Sequence, residues 1–309
     1  MPELIVARPG LLTTVQDLGR PGWGRFGVSS SGAMDTVALR IANRLVGNAE
    51  RAAGLEVTAV GPELEFRGQM VFAIGGGNLS PTLDGEPIEP WRAYRADDGA
   101  VLAFGARRQG ARCVLAVAGG LVARTVFGSA ATDLEAGLGG IEGRRVRKGD
   151  VLEVGVAERQ KDLRTAHPVV LHVYADPFVL RLLPAEGGDV EAPVLDVFCS
   201  VRWRVSERSN RMGFRLDGPA LPHGTGEMLS EPIPPGTVQL PPGGGPILLM
   251  ADRPTVGGYP RLGTVIGADL SKAAQLWVGH TVRFTTVSLA QATDALKALE
   301  AAMAMAVPR

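Results

Sequence analysis

Most of this chain is written in short apolar runs separated by turn residues, and a helical period is kept in only a few places. Leu4-Ile5-Val6-Ala7 reads as a strand stopped by Pro9-Gly10, and a turn-rich segment from Gln16 to Gly32 follows. Val37, Ala38, Ile41, Ala42 and Leu45 then recur at three- and four-residue spacing. Asp35 stands at the start of that run and Gly47 just past its end, so the pattern predicts the first helix. Strands are predicted at Met70–Ile74, Val101–Phe104, Arg112–Ala118 and Val151–Val154. Turns fall at Leu83-Asp84-Gly85-Glu86 and Lys148-Gly149-Asp150, with Asp-Gly the stronger hairpin mark.

The segment Ala157–His167 is charged and reads as a linker between two domains, 1–160 and 168–309. Beyond it, strands are predicted at Val169–Tyr174, along the whole of Val194–Val205, and at Thr237–Leu240, Pro246–Met250, Thr264–Ile266 and Thr281–Val287. Val201, Trp203 and Val205 alternate with Arg202 and Arg204, which gives one buried and one charged face. A short helix is predicted from Ser271 to Trp277. The last helix opens with Ser288 and Gln291 as a capping-box pair and is expected to bury Leu289, Ala292, Leu296, Leu299 and Met303. Strands and helices do not alternate regularly, which disfavours a doubly wound sheet. The pattern predicts a mainly β protein of two domains, both barrels, with a few peripheral helices.

Composition agrees. The 309 residues include 41 glycines and 22 prolines, enough for many turns. Lysine plus arginine balances aspartate plus glutamate at 32 each, which argues against a general nucleic-acid binder or a membrane-surface protein. The start Met1-Pro2-Glu3 lacks a basic leader, and no apolar run approaches a membrane span, so a cytoplasmic location is expected. Cys113 and Cys199 lie in apolar, strand-like contexts and are expected to be buried thiols.

Several chemistries lack their residues. No lysine follows a glycine, so there is no P-loop, and none of Lys148, Lys161, Lys272 and Lys297 has the neighbouring methionine of a biotin carrier. His167, His172, His223 and His280 do not cluster, so no metal site is expected. Gly22, Gly24 and Gly27 match a dinucleotide fingerprint formally, but they follow a turn and precede the helix by too many residues.

What the chain offers instead is Ala251-Asp252-Arg253-Pro254-Thr255-Val256-Gly257-Gly258-Tyr259-Pro260, directly after an apolar strand. It combines an acceptor, a planar fork donor, a hydroxyl, unhindered backbone N–H groups and a ring, which suits a small ligand with carboxylate and amide groups. Asp252 and Arg253 are the candidate catalytic residues, with Thr255, Gly257, Gly258 and Tyr259 as candidate binding residues. A polar loop holding Asn210 and Arg211 is the second candidate. The third runs from Gln16, Asp17 and Arg20 to Met34 and Asp35, whose serines and glycines could meet an anion or simply cap the helix.

These segments carry a resemblance. Pro9 to Arg20, Ser31-Gly32-Ala33-Met34-Asp35, Ala42 to Asn48, Ser209-Asn210-Arg211-Met212-Gly213, Gly257-Gly258-Tyr259-Pro260 and Ala268-Asp269-Leu270 resemble the family of the 5-oxoprolinase C-type subunit, also called allophanate hydrolase subunit 2. The same module forms the A and B subdomains of the carboxyltransferase in urea carboxylase. The resemblance implies two cyclophilin-like barrels and ATP-dependent opening of 5-oxo-L-proline to L-glutamate. It implies the B-type subunit of that complex as an obligate companion and the A-type subunit as a third member, with ATP used by a partner. Carboxyl transfer from biotin to urea or another amide is the alternative, and sequestration of a kinase-inhibitor-like partner a third. The family loop has glutamine and threonine where Pro254 and Val256 stand here, and Val278-Gly279-His280 replaces a usual Pro-Gly-Asp. Under the first reading Arg253 or Arg211 would hold the substrate carboxylate. Gly257 and Gly258 would face the developing oxyanion, and Asp252 would orient Arg253 or act as acid or base.

Overall fold

The computed structural model describes residues 2–157, 163–167, 178–186, 190–222 and 229–307. The expected strand Val169–Tyr174, His172, His223 and part of the expected linker lie outside them. The chain forms two compact units: Met1–Arg20, Ser31–Tyr174 and Ala302–Arg309 make the first, Pro21–Ser30 and Ala175–Ala301 the second. Two short segments, Pro21–Ser30 and Ala302–Arg309, thus group with the unit that holds most of the opposite half of the chain. The end of the chain joins the first unit because Met303, Ala306 and Val307 are buried there, with His167 N–H donating to the Ala306 carbonyl at 2.8 Å.

In the first unit the strands are β1 (Glu3–Arg8), β2 (Leu12–Gln16), β3 (Gly54–Thr58), β4 (Glu63–Arg67), β5 (Met70–Asn78), β6 (Pro81–Leu83), β7 (Glu86–Pro87), β8 (Ala93–Ala96), β9 (Val101–Phe104), β10 (Gln109–Val117) and β11 (Val151–Glu153). They make two sheets, ordered β11-β1-β4-β9-β6-β7 and β2-β3-β10-β5-β8. Leu4, Phe66 and Leu102 from one sheet and Phe72, Ile74 and Leu115 from the other belong to a single buried cluster, so the two apolar faces share one core. The Asp84-Gly85 turn closes β6 onto β7 with both residues at positive φ (52° and 85°), the requirement that makes Asp-Gly a hairpin signal.

The helix α1 (Thr36–Leu45) forms where its apolar period placed it. Asp35 accepts the Ala38 N–H at 2.9 Å as N-cap, and Gly47 takes φ 76° just beyond the end. Its buried face lies directly on β5 because that strand is glycine there: a Cβ on Gly75 would stand 2.6 Å from the Ala38 carbonyl oxygen. Gly22, Gly24 and Gly27 flank a 3₁₀ turn at Gly24–Phe26, not a strand-to-helix junction.

Past α1, Glu50 accepts from Arg40 Nε at 2.6 Å and Arg44 Nε at 2.7 Å. Burial works against its charge, but the two guanidiniums outweigh burial and hold its carboxyl below the ordinary 4.5. A depressed carboxyl stabilises the fold fully above the ordinary value, and that stability is lost as pH falls through the lower folded value. Glu50→Gln should therefore cost about 0.5–1 kcal/mol at neutral pH, discounted for solvent screening. Well below the ordinary carboxylate value, where Glu50 is protonated in both states, the variant and the parent should melt together. Thermal scans across that range check it.

The second unit holds β12 (Phe178–Pro184), α2 (Ala192–Ser200), β13 (Trp203–Val205), β14 (Gly213–Asp217), β15 (Glu231–Pro232), β16 (Thr237–Gln239), β17 (Ile247–Leu249), β18 (Val256–Gly257), β19 (Arg261–Val265), α3 (Leu270–Ala273), β20 (Thr281–Thr286) and the greater part of α4 (Leu289–Ala306), whose last residues from Ala302 belong to the first unit. Seven strands close into a barrel ordered β12-β19-β16-β17-β14-β13-β20, sealed by the parallel pairing of β20 with β12. Leu180, Trp203, Phe214, Leu216, Val238, Leu248 and Phe284 are buried. Mainly β architecture is thus what the sequence pattern implied. The second unit is the one closed as a barrel, whereas the first keeps two sheets over one core.

Three expectations need correction. The long strand Val194–Val205 is a helix followed by a short strand: Pro193 sits in the first turn of α2, and Val194 and Phe198 bury one helical face. Phe198 then packs at 4.5 Å from the Phe284 ring, and its carbonyl accepts from Trp203 Nε1 at 2.9 Å. Cys199 is consequently half-buried on α2, while Cys113 is fully buried on β10, where burial and then the Glu56 charge push its thiol well up. The helix near Ser271 starts earlier, as a 3₁₀ turn at Gly267–Asp269 running into α3, and α3 ends at Ala273. Finally, α4 has the expected capping box (Ser288 N–H to Gln291 Oε1 2.8 Å, Gln291 N–H to Ser288 Oγ 3.3 Å), but Leu289 and Leu296 are 66% and 45% exposed. Among its described residues only Met303 and Ala306 are buried, both near its end. No helix among the described residues is long and apolar enough to cross a membrane.

Candidate functional site

The expected site residues fall into two clusters, one in each unit. In the second unit, β14 and β17 are antiparallel neighbours with Gly213 opposite Leu249, so the residues before β14 lie beside those after β17. The ladder continues there: Met250 N–H donates to the Met212 carbonyl at 2.9 Å and Asp252 N–H to the Arg211 carbonyl at 3.0 Å. The side chains repeat the tie. Arg211 Nε and Nη2 donate to the two Asp252 carboxylate oxygens at 2.8 and 3.1 Å, with each side chain only 4% exposed. Asp252 thus orients Arg211 rather than its sequence neighbour.

Arg253 turns the other way. Its Nε donates to the Ile233 carbonyl at 2.8 Å and its Nη1 to the Met250 carbonyl at 3.4 Å, with no carboxylate on it among the described residues. Burial lowers the proton affinity of this guanidinium, and the nearby Asp252 charge opposes that. It is a half-buried cation seated on carbonyl dipoles, which can still receive an anionic ligand. Around it, the Thr255 carbonyl accepts the Ile233 N–H at 3.0 Å, and Gly257 lies in β18 opposite Glu231 of β15. A Cβ on Gly257 would stand 2.5 Å from Ile233 Cδ1 and 2.8 Å from Gln239 Nε2, so both side-chain ends would have to shift to admit one. Gly258 is half-buried and Tyr259 is exposed. Asn210 is exposed and folds its own loop, its Oδ1 accepting from Met212 N–H at 2.9 Å.

The first-unit cluster is bound up with the backbone. Gln16, at the end of β2, donates through Nε2 to Thr14 Oγ1 at 3.1 Å and the Thr132 carbonyl at 3.0 Å. Asp17 accepts from Gly19 N–H (2.7 Å), Ser129 Oγ (2.6 Å) and Ala130 N–H (2.7 Å). Arg20 is buried and donates to the Val126 and Ala131 carbonyls. Asp35 caps α1, and the Met34 N–H meets Glu56 Oε2 at 2.6 Å. Glu56, a buried carboxylate between Leu55 and Val57, is absent from the sequence-derived set. Its signal was a lone charge inside an apolar strand. Gln239, whose buried Nε2 lacks a partner among the described residues, is the other omission.

A family model for the carboxyltransferase domain, subdomain A and B, matches residues 26–286. The chain belongs to that family. Within it, the chain is similar to the C-type subunit of the Escherichia coli 5-oxoprolinase, 40% identical over 94% of each chain. Among solved structures it resembles the Kluyveromyces lactis urea carboxylase, with a TM-score of 0.91 and 28% identity over 97% of this chain and 29% of that one. It also resembles TTHA0988, with a TM-score of 0.83 and 38% identity over 92% of this chain and 56% of that one. The carboxyltransferase module here therefore spans about half of one matched structure and under a third of another.

Proposed function

We propose that this chain is the C-type subunit of an ATP-dependent 5-oxoprolinase, opening 5-oxo-L-proline to L-glutamate together with the A-type and B-type subunits in the cytoplasm. Its similarity to the Escherichia coli C-type subunit runs over nearly the full length of both chains. The observation that carries the assignment of roles is Arg253, a half-buried guanidinium with no carboxylate on it among the described residues, beside a glycine pair. Arg211 is less suited to substrate because its Nε and Nη2 are spent on Asp252.

Hydrolysis of an unstrained lactam needs its carbonyl oxygen activated, and ATP bound to a partner protein supplies that activation. Arg253 holds the substrate carboxylate in a charge-assisted fork, so that the lactam carbonyl is presented to water in a fixed orientation. Thr255 and Gly257 meet the same residue as Arg253, since Ile233 gives its carbonyl to Arg253 Nε and its N–H to the Thr255 carbonyl and lies against Gly257. Asp252 acts through Arg211, as a positioning pair that fixes the loop carrying Arg253. In the assembled complex, Arg253→Ala should lower kcat/KM for 5-oxo-L-proline by about 10- to 100-fold, the worth of one hydrogen bond to a charged group. Arg253→Lys should recover part of it, because it restores the charge without the fork. Unchanged kcat/KM in Arg253→Ala would remove the residue from the site.

The likeness to a urea carboxylase favours a second reading, carboxyl transfer from a biotin carried on another chain to an amide. Carboxylated product on adding a biotinylated carrier, with no L-glutamate from 5-oxo-L-proline, selects it.

A further inference from the structure

The second unit contains a cavity of about 380 Å³ on the outer side of β14, lined by Arg208, Arg215, Asp217 and the β16–β17 connection from Pro241 to Pro246. It lies toward the other end of the β14–β17 pair from Asp252, since Leu216 N–H donates to the Pro246 carbonyl just before β17 begins. Along β14, Phe214 and Leu216 point into the barrel, so Arg215 and Asp217 point outward into this space. Among the described residues neither guanidinium has a carboxylate within ion-pair distance and Asp217 has no cation within it, although Arg204 stands opposite Asp217 in the β13–β14 register. Two cations and one anion therefore share a concave surface without neutralising one another, which leaves a positive field with one acceptor beside it.

The walls are held by backbone bonds and rings. Leu221 N–H meets the Gly244 carbonyl at 3.0 Å, Gly244 N–H the Pro241 carbonyl at 3.1 Å, and Arg215 N–H the Ser209 Oγ at 3.1 Å. Pro241, Pro242 and Pro246 stiffen the rim. The backbone of the wall is thus ordered before a ligand enters, while the exposed Arg208 and Arg215 side chains keep rotamer freedom that binding must remove. A Cβ built on Gly245, whose φ is ordinary, meets nothing within 4 Å, so that wall is open where a side chain would stand.

We propose that this cavity binds a small ligand with two anionic groups and one cationic hydrogen-bond donor, the pattern of a dicarboxylic amino acid. Arg208 and Arg215 take the carboxylates and Asp217 takes the ammonium group. The volume falls within the range of small-molecule sites. L-Glutamate, the product of the reaction proposed above, has this pattern. The site is read by binding to the chain alone, so its fate is separate from that of the proposed turnover.

Calorimetric titration of the full chain with L-glutamate, glutarate and inorganic phosphate tests it. Saturable one-to-one binding of L-glutamate is expected, with glutarate at least about tenfold weaker because it gives Asp217 nothing. Arg215→Ala and Gly245→Leu should each abolish binding while leaving the thermal midpoint in place, because one removes an unpaired exposed charge and the other fills open space. No saturable binding of L-glutamate at millimolar concentration, binding that survives both variants, or glutarate or phosphate binding as tightly as L-glutamate would each overturn the proposal.

Discussion

Replacing Arg211 with Met should lower the melting temperature of the protein by about 10–20 °C. Arg211 and Asp252 form a two-point ion pair with both side chains 4% exposed, so removing one partner leaves the other's charge buried without its two-point partner. Breaking such a pair costs about 3–5 kcal/mol, against which a shift of a few degrees per kcal/mol is ordinary for a unit of this size. The favourable Coulomb energy of the pair is mostly cancelled by the desolvation of its members, so the pair itself is not the source of that stability. The double variant Arg211→Met with Asp252→Leu should therefore recover most of the loss. If calorimetry puts the single variant within a degree or two of the parent, the pair does not hold this loop. Activity should fall in the single variant even where it remains folded, since Arg253 follows Asp252 in the chain.

Asp17→Ala should destabilise the first unit by about 3–5 kcal/mol. Its carboxylate takes three donors at 2.6–2.7 Å, two of them backbone N–H groups, and it is nearly buried. Hydrogen bonds to a charged group are worth about 1.5–3 kcal/mol each, and their energies overlap within one network. Alanine leaves the Gly19 and Ala130 N–H groups without their acceptor. Asp17→Asn should cost less than alanine, because its amide oxygen keeps the Gly19 N–H and Ser129 hydroxyl, but its NH₂ opposes the Ala130 N–H donor to donor and part of the loss remains. Chemical denaturation of both variants separates the cases: equal and small losses would mean that the network is not what ties the Gln16–Arg20 turn to residues 129–132. The same measurement bears on the functional reading of Asp17, whose oxygens are occupied by the protein's own donors.

Local features were legible wherever a short-range rule decides. The α1 helix follows from its period plus Asp35, the Asp84-Gly85 turn from its need for positive φ, and the α4 capping box from Ser288 and Gln291. The failures came where apolar content outran period. Val194 to Val201 is as apolar as a strand, and its helical state rests on Pro193 in the first turn and on Phe198 reaching Trp203 and Phe284. The exposed first turns of α4 show the converse, an apolar period without a buried face.

The site was legible as a list of residues and illegible as a set of pairs. Asp252 stands next to Arg253 in sequence, yet its partner is Arg211, 41 positions away, brought there by the β14–β17 register. Neighbouring residues at a strand end point to different sides, so adjacency in the chain argued for the wrong pair. Glu56 and Gln239 were hidden for a related reason, because their partners or the lack of them depend on elements distant in the sequence.

The central claim is that this chain supplies substrate-positioning groups and needs companion proteins for chemistry. The direct measurement is ATP-dependent release of L-glutamate from 5-oxo-L-proline by the chain alone, by the A-type and B-type subunits without it, and by all three together. Turnover is expected only in the complete mixture. L-Glutamate formed by the purified chain by itself, or formed undiminished when the chain is left out, would contradict the account.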